Sequence, residues 1–257
     1  MGCYYCDGKT KKDWSNGTMR VTRGSHSVEQ TELHAPFIFI HIPKCAGTSI
    51  SQALENQVCK NSVCGNLSGG APYKKHWWLS HYLWEFDPRK LENIVASVRN
   101  PFDRVVSYWC WKFRGKEGTE DFNEWVYEWY YKKRYLSIWA GREEDQFING
   151  IPFPYAPCTW FLTMPGSKEI AANHILRYEN LKSDWKDLLY KLNIKEEITL
   201  GHANASRGNP SPNVPPWDLT KEEKPYQEWY NERSIDIISN EFKIDLDTFG
   251  YKFDKIK

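Results

Sequence analysis

The chain has 257 residues, and 34 Lys and Arg residues against 33 Asp and Glu residues leave a formal net charge of +1. Its 40% hydrophobic and 26% charged residues are typical of a globular protein, which excludes a disordered chain. The neutral balance argues against nucleic acid as the main partner, because proteins that bind the phosphate backbone usually carry a basic excess. No apolar run approaches the roughly 18 residues that a membrane span needs, and the first residues lack the apolar core of a secretory signal. We therefore expect a cytoplasmic protein without a membrane span.

Residues 1–34 are polar and show no clear period, so we expect an N-terminal arm or tail before a folded domain over 35–257. The seven cysteines are scattered and odd in number, unlike the dense disulfide framework of a small secreted domain. Neither the C-x-x-C at Cys3 nor the pair Cys59 and Cys64 supplies four ligands at zinc-binding spacing. We expect no metal site.

The first informative unit is a strand, a loop and a helix. The run Ala35–Ile42 is short, apolar and rich in β-branched and aromatic residues, which predicts a buried strand. Pro43 ends the strand and a tight loop follows. Thr48 or Ser49 is expected to cap a helix over Ile50–Gln57.

The loop of this unit has the residue types of an anion site. The amino terminus of a helix presents unpaired N–H groups at the positive end of the helix dipole. Gly47 allows a close approach of the backbone, Lys44 adds a full positive charge, and Thr48 and Ser49 add hydroxyl donors. The alternative is an ordinary strand-to-helix turn with a surface lysine.

A second unit of the same kind follows a strand predicted over Leu91–Val98. Arg99 lies at the carboxyl end of that strand, where open α/β sheets bind ligands, and a guanidinium binds phosphate bidentately. Asn100 is the expected N-cap of the next helix, and Ser107 lies about two turns into it, near the same phosphate. The alternative role for Arg99 is an ion pair with Asp103. Together, the two units indicate a ligand with two separated anionic ends.

Helices and strands alternate along the rest of the chain. The predicted elements are an amphipathic helix from Asp121, a surface loop over 140–158, a strand at His174–Tyr178, a helix from Ser183, a loop over 201–220 and a last helix including Tyr226–Ile238. This order predicts a single α/β domain with a central parallel sheet flanked by helices on both faces.

The first loop is not the phosphate-binding loop of nucleoside-triphosphate enzymes. In G-x-x-x-x-G-K-[ST] the lysine follows the second glycine, whereas Lys44 precedes Gly47. No magnesium-binding aspartate is recognisable either. A kinase is therefore disfavoured, although it is the nearest enzymatic alternative.

The segments IHIPKCAGTSI and SVRNPFDRVVSYW resemble the 5′-phosphosulfate loop and the 3′-phosphate motif of sulfotransferases that use 3′-phosphoadenosine 5′-phosphosulfate. The second segment is similar to the form found in the carbohydrate-type branch of these enzymes. Downstream, ILRYENL, HANASR and FGY are similar to further motifs of the same branch. The resemblance covers about residues 36–253, in the expected order.

The resemblance implies a P-loop-like version of the α/β fold and a phosphosulfate donor that leaves as adenosine 3′,5′-bisphosphate, with no metal. Lys44 would neutralise charge on the leaving oxygen, Arg99 and Ser107 would hold the 3′-phosphate, and a loop at Ser206 and Arg207 would close over the nucleotide. The residues that would hold the 5′-phosphosulfate are Lys44, Cys45, Ala46, Gly47, Thr48 and Ser49.

Transfer to a hydroxyl needs a base, and histidine is the side chain best suited to that role at neutral pH. In the family this histidine precedes the arginine of the second motif by a little over twenty residues. His76 lies 23 residues before Arg99 and His81 lies 18 before it, so His76 is favoured. Glu85 is a third and poorer candidate.

The resemblance thus implies transfer of a sulfuryl group to a hydroxyl, or less readily an amine, of a carbohydrate or small-molecule acceptor. A catalytically inactive nucleotide- or glycan-binding module of the same fold is the alternative. Five tryptophans near the predicted site are candidates for stacking on the acceptor or for the core: Trp77, Trp78, Trp84, Trp109 and Trp111.

Overall fold

The computed structural model describes residues 10–13, 20–23, 26–28, 38–53, 63–64, 76, 78–79, 93–113, 121–138, 147–148, 151–164, 167–194, 198–201 and 225–254. Near the amino terminus, three short antiparallel strands pair in the order β1 (Thr10–Asp13), β2 (Arg20–Arg23) and β3 (His26–Val28). The sequence predicted an arm or tail over residues 1–34 without strands, because hydrophobic alternation is the main signal for a strand and this polar segment has none.

The remaining elements follow in chain order, and the two predicted anion-binding motifs come directly after β4 and β6. The first are β4 (Ile38–Ile40), α1 (Gly47–Ala53), β5 (Val63–Cys64), β6 (Ile94–Val98), α2 (Pro101–Lys112), α3 (Phe122–Val126) and α4 (Tyr135–Ile138). The rest are β7 (Phe147–Ile148), β8 (Ile151–Pro152), α5 (Cys158–Leu162), β9 (His174–Arg177), α6 (Leu181–Lys191), α7 (Glu232–Glu241) and α8 (Lys243–Phe249).

A four-stranded parallel sheet in the order β5-β4-β6-β9 forms the centre of the domain. Alternate residues of each strand point to opposite faces, and each face is covered by helices. One face packs against α5 and α8 through Ile38, Ile40, Ala96, Val98, Phe161, Leu162 and Phe249. The other packs against α1 and α6 through Phe39, Val95, Leu176, Ile50, Trp185, Leu188 and Leu189. The predicted α/β architecture is confirmed.

A third cluster accounts for much of the aromatic content. Helices α2, α3 and α7 pack there, and α3 continues through a π-helical turn at Tyr127–Tyr131. Trp125 is fully buried and Trp129 is 7% exposed. These rings therefore belong to the core and not to a ligand-stacking surface.

Some boundaries differ from those predicted. Helix α1 begins at Gly47, because Ile50 N donates to Ala46 O, so Thr48 and Ser49 lie inside the helix and do not cap it. The predicted loop over 140–158 contains the hairpin of β7 and β8 and the start of α5. No helix among the described residues is long and apolar enough to cross a membrane.

Candidate functional site

The loop between β4 and α1 has an unusual backbone. Lys44 and Ala46 have φ values of 66° and 63°, on either side of Cys45. Positive φ is uncommon outside glycine, and it persists only where the surrounding structure enforces it. A backbone in which the sign of φ alternates directs successive N–H groups to one side, which is an arrangement that binds anions. The loop therefore has the backbone form of an anion site, and within it the Cys45 N–H donates to Ile42 O at 3.4 Å.

The two predicted motifs meet at the carboxyl edge of the sheet. The Arg99 guanidinium donates from Nη1 to Lys44 O at 3.2 Å, which joins the end of β6 to the first loop. Arg99 is only 6% exposed, so this contact lies within the protein and is not a surface encounter.

Arg99 also forms the ion pair with Asp103 that the sequence predicted as the alternative to phosphate binding. Its Nε and Nη2 each lie 2.7 Å from Asp103 Oδ2. The ring of Tyr178 lies under the guanidinium, 3.7 Å from centroid to Cζ, which fixes its plane. Among the described residues, these contacts use three of the five N–H groups of the Arg99 guanidinium. The other two N–H groups can donate to an anion.

Helix α2 carries the second group of this motif. Asn100 caps the helix as predicted, since its side chain accepts from Phe102 N at 3.1 Å. Ser107 lies four residues after Asp103, about one helical turn beyond the residue that pairs with Arg99. Ser107 is 1% exposed.

Glu179 connects three segments that the sequence resemblance singled out separately. Its Oε1 accepts from the backbone N–H of Asn100 at 2.7 Å, and its Oε2 accepts from the Tyr251 hydroxyl at 2.9 Å. The RYENL and FGY segments thus contact each other through Glu179 and hold the backbone of Asn100, the residue after Arg99. No role was predicted for Glu179 or Tyr251, although both lie inside motifs that carry the resemblance.

Arg104 is a residue of the second motif for which no role was predicted. Its guanidinium is 2% exposed, and it donates from Nε to Pro43 O at 3.0 Å and from Nη1 to Ala156 O at 2.8 Å. The same arginine therefore holds the start of the first loop against the segment that leads into α5.

His76 lies close to the first loop. Its Nδ1 is 2.9 Å from His41 O, and the two imidazoles meet edge to face with centroids 4.7 Å apart. Because a carbonyl oxygen only accepts, Nδ1 carries the proton of this bond, and the neutral ring has its lone pair on Nε2. Nε2 is thus the nitrogen of His76 that can take up a proton.

Several predicted residues lie outside the part of the chain that is described. They are His81, Glu85, Trp77, Trp84, Ser206 and Arg207. Among the other tryptophans, Trp78 and Trp109 are half-buried, and Trp111 is 55% exposed with the Lys44 ammonium 5.6 Å from its ring centroid. Trp111 is therefore an exposed tryptophan that contacts the lysine of the first loop.

Comparison with known families gives one match. The sequence model of the family described as the sulfotransferase family matches residues 31–252. This range includes both loops and every site residue described above. No curated protein and no solved structure matches the chain.

Proposed function

The chain belongs to the sulfotransferase family, whose sulfuryl donor is 3′-phosphoadenosine 5′-phosphosulfate, and from this we propose that it transfers the sulfuryl group to a hydroxyl of a carbohydrate or small-molecule acceptor. The observation that supports the proposal is the hydrogen bond from Arg99 to Lys44 O, because it joins the two motifs that are predicted to bind anions. A ligand with two separated anionic ends fits such an arrangement.

The residues present fit this donor. The N–H groups of the first loop and the Lys44 ammonium would hold the 5′-phosphosulfate, with Thr48 and Ser49 adding hydroxyls. The Arg99 fork and Ser107 would hold the 3′-phosphate. Bound there, the donor supplies a sulfuryl group attached to a phosphate leaving group.

Two groups of the chain would then assist transfer. Lys44 and the loop N–H groups stabilise negative charge where it develops on the leaving oxygen, which is the position where fixed donors contribute most to the rate. His76 Nε2 accepts the proton of the attacking hydroxyl, while the bond from Nδ1 to His41 O holds the ring and its tautomer. Lys44 and His76 are therefore the proposed catalytic residues, and His81 is the competing candidate for the base.

Binding of the donor product tests the proposal directly. Adenosine 3′,5′-bisphosphate should raise the melting temperature without any metal, since a ligand at a hundredfold its dissociation constant adds about 2.7 kcal/mol of stability. A shift with ATP and magnesium but none with the bisphosphate would favour a kinase and overturn the proposal.

Turnover separates an enzyme from a binding module. Labelled donor incubated with a panel of hydroxyl-bearing sugars and small molecules should transfer its label to at least one of them. Bisphosphate binding with no labelled product from any acceptor would instead support the inactive module.

A further inference from the structure

Two cysteines far apart in the sequence meet in the protein interior. Cys45 belongs to the first loop, and Cys158 is the first residue of α5. Cys45 Sγ and Cys158 Sγ are 3.9 Å apart, and both residues are fully buried. Cys45 Sγ also lies 3.6 Å from Pro43 O. In the reduced pair, Cys45 can donate to that carbonyl while Cys158 donates its S–H to Cys45. Both are free thiols.

The backbone on each side of this pair is held by one buried guanidinium. Arg104 binds Pro43 O and Ala156 O, each of which lies two residues before a cysteine of the pair. Asp245 of α8 further fixes the second segment, since its carboxylate accepts from Cys158 N at 2.6 Å and from Thr159 N at 2.9 Å. The contact between the two sulfurs is therefore imposed by the fold.

The two thiols differ in their acidity. Burial raises the pKa of Cys45, but the hydrogen bond from Cys158 and the charges of Arg104 and Arg99 outweigh it and lower that pKa below its ordinary value. Burial and the S–H bond that it donates raise the pKa of Cys158 well above its ordinary value. Because the thiolate is the nucleophile in thiol chemistry, Cys45 is the attacking sulfur and Cys158 the resolving one.

We propose that Cys45 and Cys158 form an oxidisable modification site, in which a hydroperoxide converts the two thiols to a disulfide that impairs donor binding. The effect on the donor rests on the function proposed above, whereas formation of the disulfide does not.

The oxidation balances with one peroxide. The Cys45 thiolate attacks an oxygen of hydrogen peroxide, the O–O bond breaks, and the hydroxide released takes up a proton to become water. The Cys158 sulfur then attacks the sulfenic sulfur of Cys45. The S–O bond breaks, and the hydroxyl leaves with the Cys158 proton as the second water. Two thiols and one peroxide thus give one disulfide and two waters, and a dithiol reverses the change.

The link must alter the first loop. A disulfide has an S–S length of about 2.05 Å, so the sulfurs must approach well inside their present 3.9 Å. Lys44 and Ala46, on either side of Cys45, have positive φ angles, and the allowed region there is small for residues other than glycine. Movement of Cys45 therefore displaces the loop N–H groups that are proposed to bind the donor. Both thiols are buried, so the peroxide reaches them only when the loop opens, and a bound nucleotide should protect them.

The experiment combines peptide mapping with nucleotide binding. After treatment with hydrogen peroxide, digestion without reductant should release a peptide pair linked through Cys45 and Cys158. The affinity for adenosine 3′,5′-bisphosphate should fall by about tenfold or more, equal to about 1.4 kcal/mol, and recover with dithiothreitol. Saturating bisphosphate should slow formation of the linked peptide.

Two variants control this result. Cys158→Ala should bind bisphosphate as the reduced wild type does and keep that affinity in peroxide, whereas Cys110→Ala, which changes a half-buried cysteine of α2, should remain sensitive. If Cys158→Ala does not fold, peptide mapping of the wild type still decides the pairing. Absence of the linked pair, or a link that leaves bisphosphate affinity unchanged, overturns the proposal. Failure of the reduced protein to bind bisphosphate counts against the proposed function. In that case the presence or absence of the linked peptide still shows whether Cys45 and Cys158 form a disulfide.

Discussion

Gly47 lies so close to the imidazole of His41 that a β-carbon on Gly47 would overlap the ring. His41 is 3% exposed, and its ring and its carbonyl oxygen both contact His76. The start of α1 is thus connected through one buried histidine to the proposed base. The φ of Gly47 is not positive, so its backbone conformation does not require glycine. Glycine is required there because the helix and the His41 ring approach too closely for any side chain.

Gly47→Ala should therefore cost stability and activity together. Overpacking of a close contact destabilises by about 1–3 kcal/mol, and displacement of His41 should move the ring of His76. Thermal unfolding and turnover measure the two effects. Gly201→Ala is the matched control, since no atom of the described residues lies within 4 Å of the position that its β-carbon would take. Equal effects of the two substitutions would mean that the His41 contact is not important.

Arg99→Lys should separate the two phosphate ends of the nucleotide. Lysine keeps the charge but loses the planar fork, so affinity for adenosine 3′,5′-bisphosphate should fall while affinity for a nucleotide without the 3′-phosphate changes little. Titration calorimetry with both nucleotides measures this. Arg233→Lys, in which a half-exposed arginine of α7 is changed, should alter neither affinity. If both affinities fall equally in Arg99→Lys, the role of Arg99 is structural, through Asp103 and Lys44 O.

The predictable part of the site was local. A strand, a loop and a helix follow one another within a few residues, and the cap at Asn100 can be identified from Asn-Pro at a helix start. Because the carboxyl ends of parallel strands meet at one edge of a sheet, the sequence could also predict that the loops around Lys44 and Arg99 lie together.

The unpredicted part was the support beneath these loops. Arg104 binds carbonyl groups 61 and 52 residues away, and Asp245 binds N–H groups 87 and 86 residues away. Backbone donors and acceptors leave no trace in the residue types at their positions, so no spacing pattern identifies such a partner. The meeting of Cys45 with Cys158 depends on the same long-range packing.

Arg104→Lys tests this support. A lysine retains the buried charge but has no planar fork to reach Pro43 O and Ala156 O together, so one buried carbonyl loses its donor at a cost of about 1–3 kcal/mol. Since Pro43 begins the first loop, bisphosphate affinity should also fall. Denaturant unfolding and calorimetry measure the two effects. Unchanged stability would show that the two carbonyl groups find other donors.

Asp245→Asn should destabilise the fold more than the same change two residues later. Asp245 is 1% exposed and accepts two backbone N–H groups, whereas an amide turns an NH₂ group toward one of them and leaves the Arg104 charge less compensated. An unsatisfied buried donor costs about 1–3 kcal/mol. Asp247→Asn affects only the exposed pair with Lys243 and should cost less than about 1 kcal/mol. Equal unfolding midpoints for the two variants would contradict the assigned role of Asp245.

The last prediction concerns the base. If His76 Nε2 removes the acceptor proton, His76→Ala should lower turnover by roughly 10²–10⁴, equivalent to about 3–5 kcal/mol of barrier. Bisphosphate affinity should hardly change, because the substitution removes no proposed donor contact. His174→Ala is the matched control, since His174 begins β9 at the opposite edge of the sheet and contacts Asn93. Its turnover should match that of the wild type.

His81→Ala decides between the two candidate histidines. With His76 as the base, this variant should lose less than about tenfold in turnover, and its bisphosphate affinity should also be unchanged. An inactive His81→Ala beside an active His76→Ala would place the base five residues further along the chain. The hydrogen bond from His76 to His41 O would then serve to hold the first loop against the segment before β6, and Gly47→Ala would lower nucleotide affinity in place of turnover.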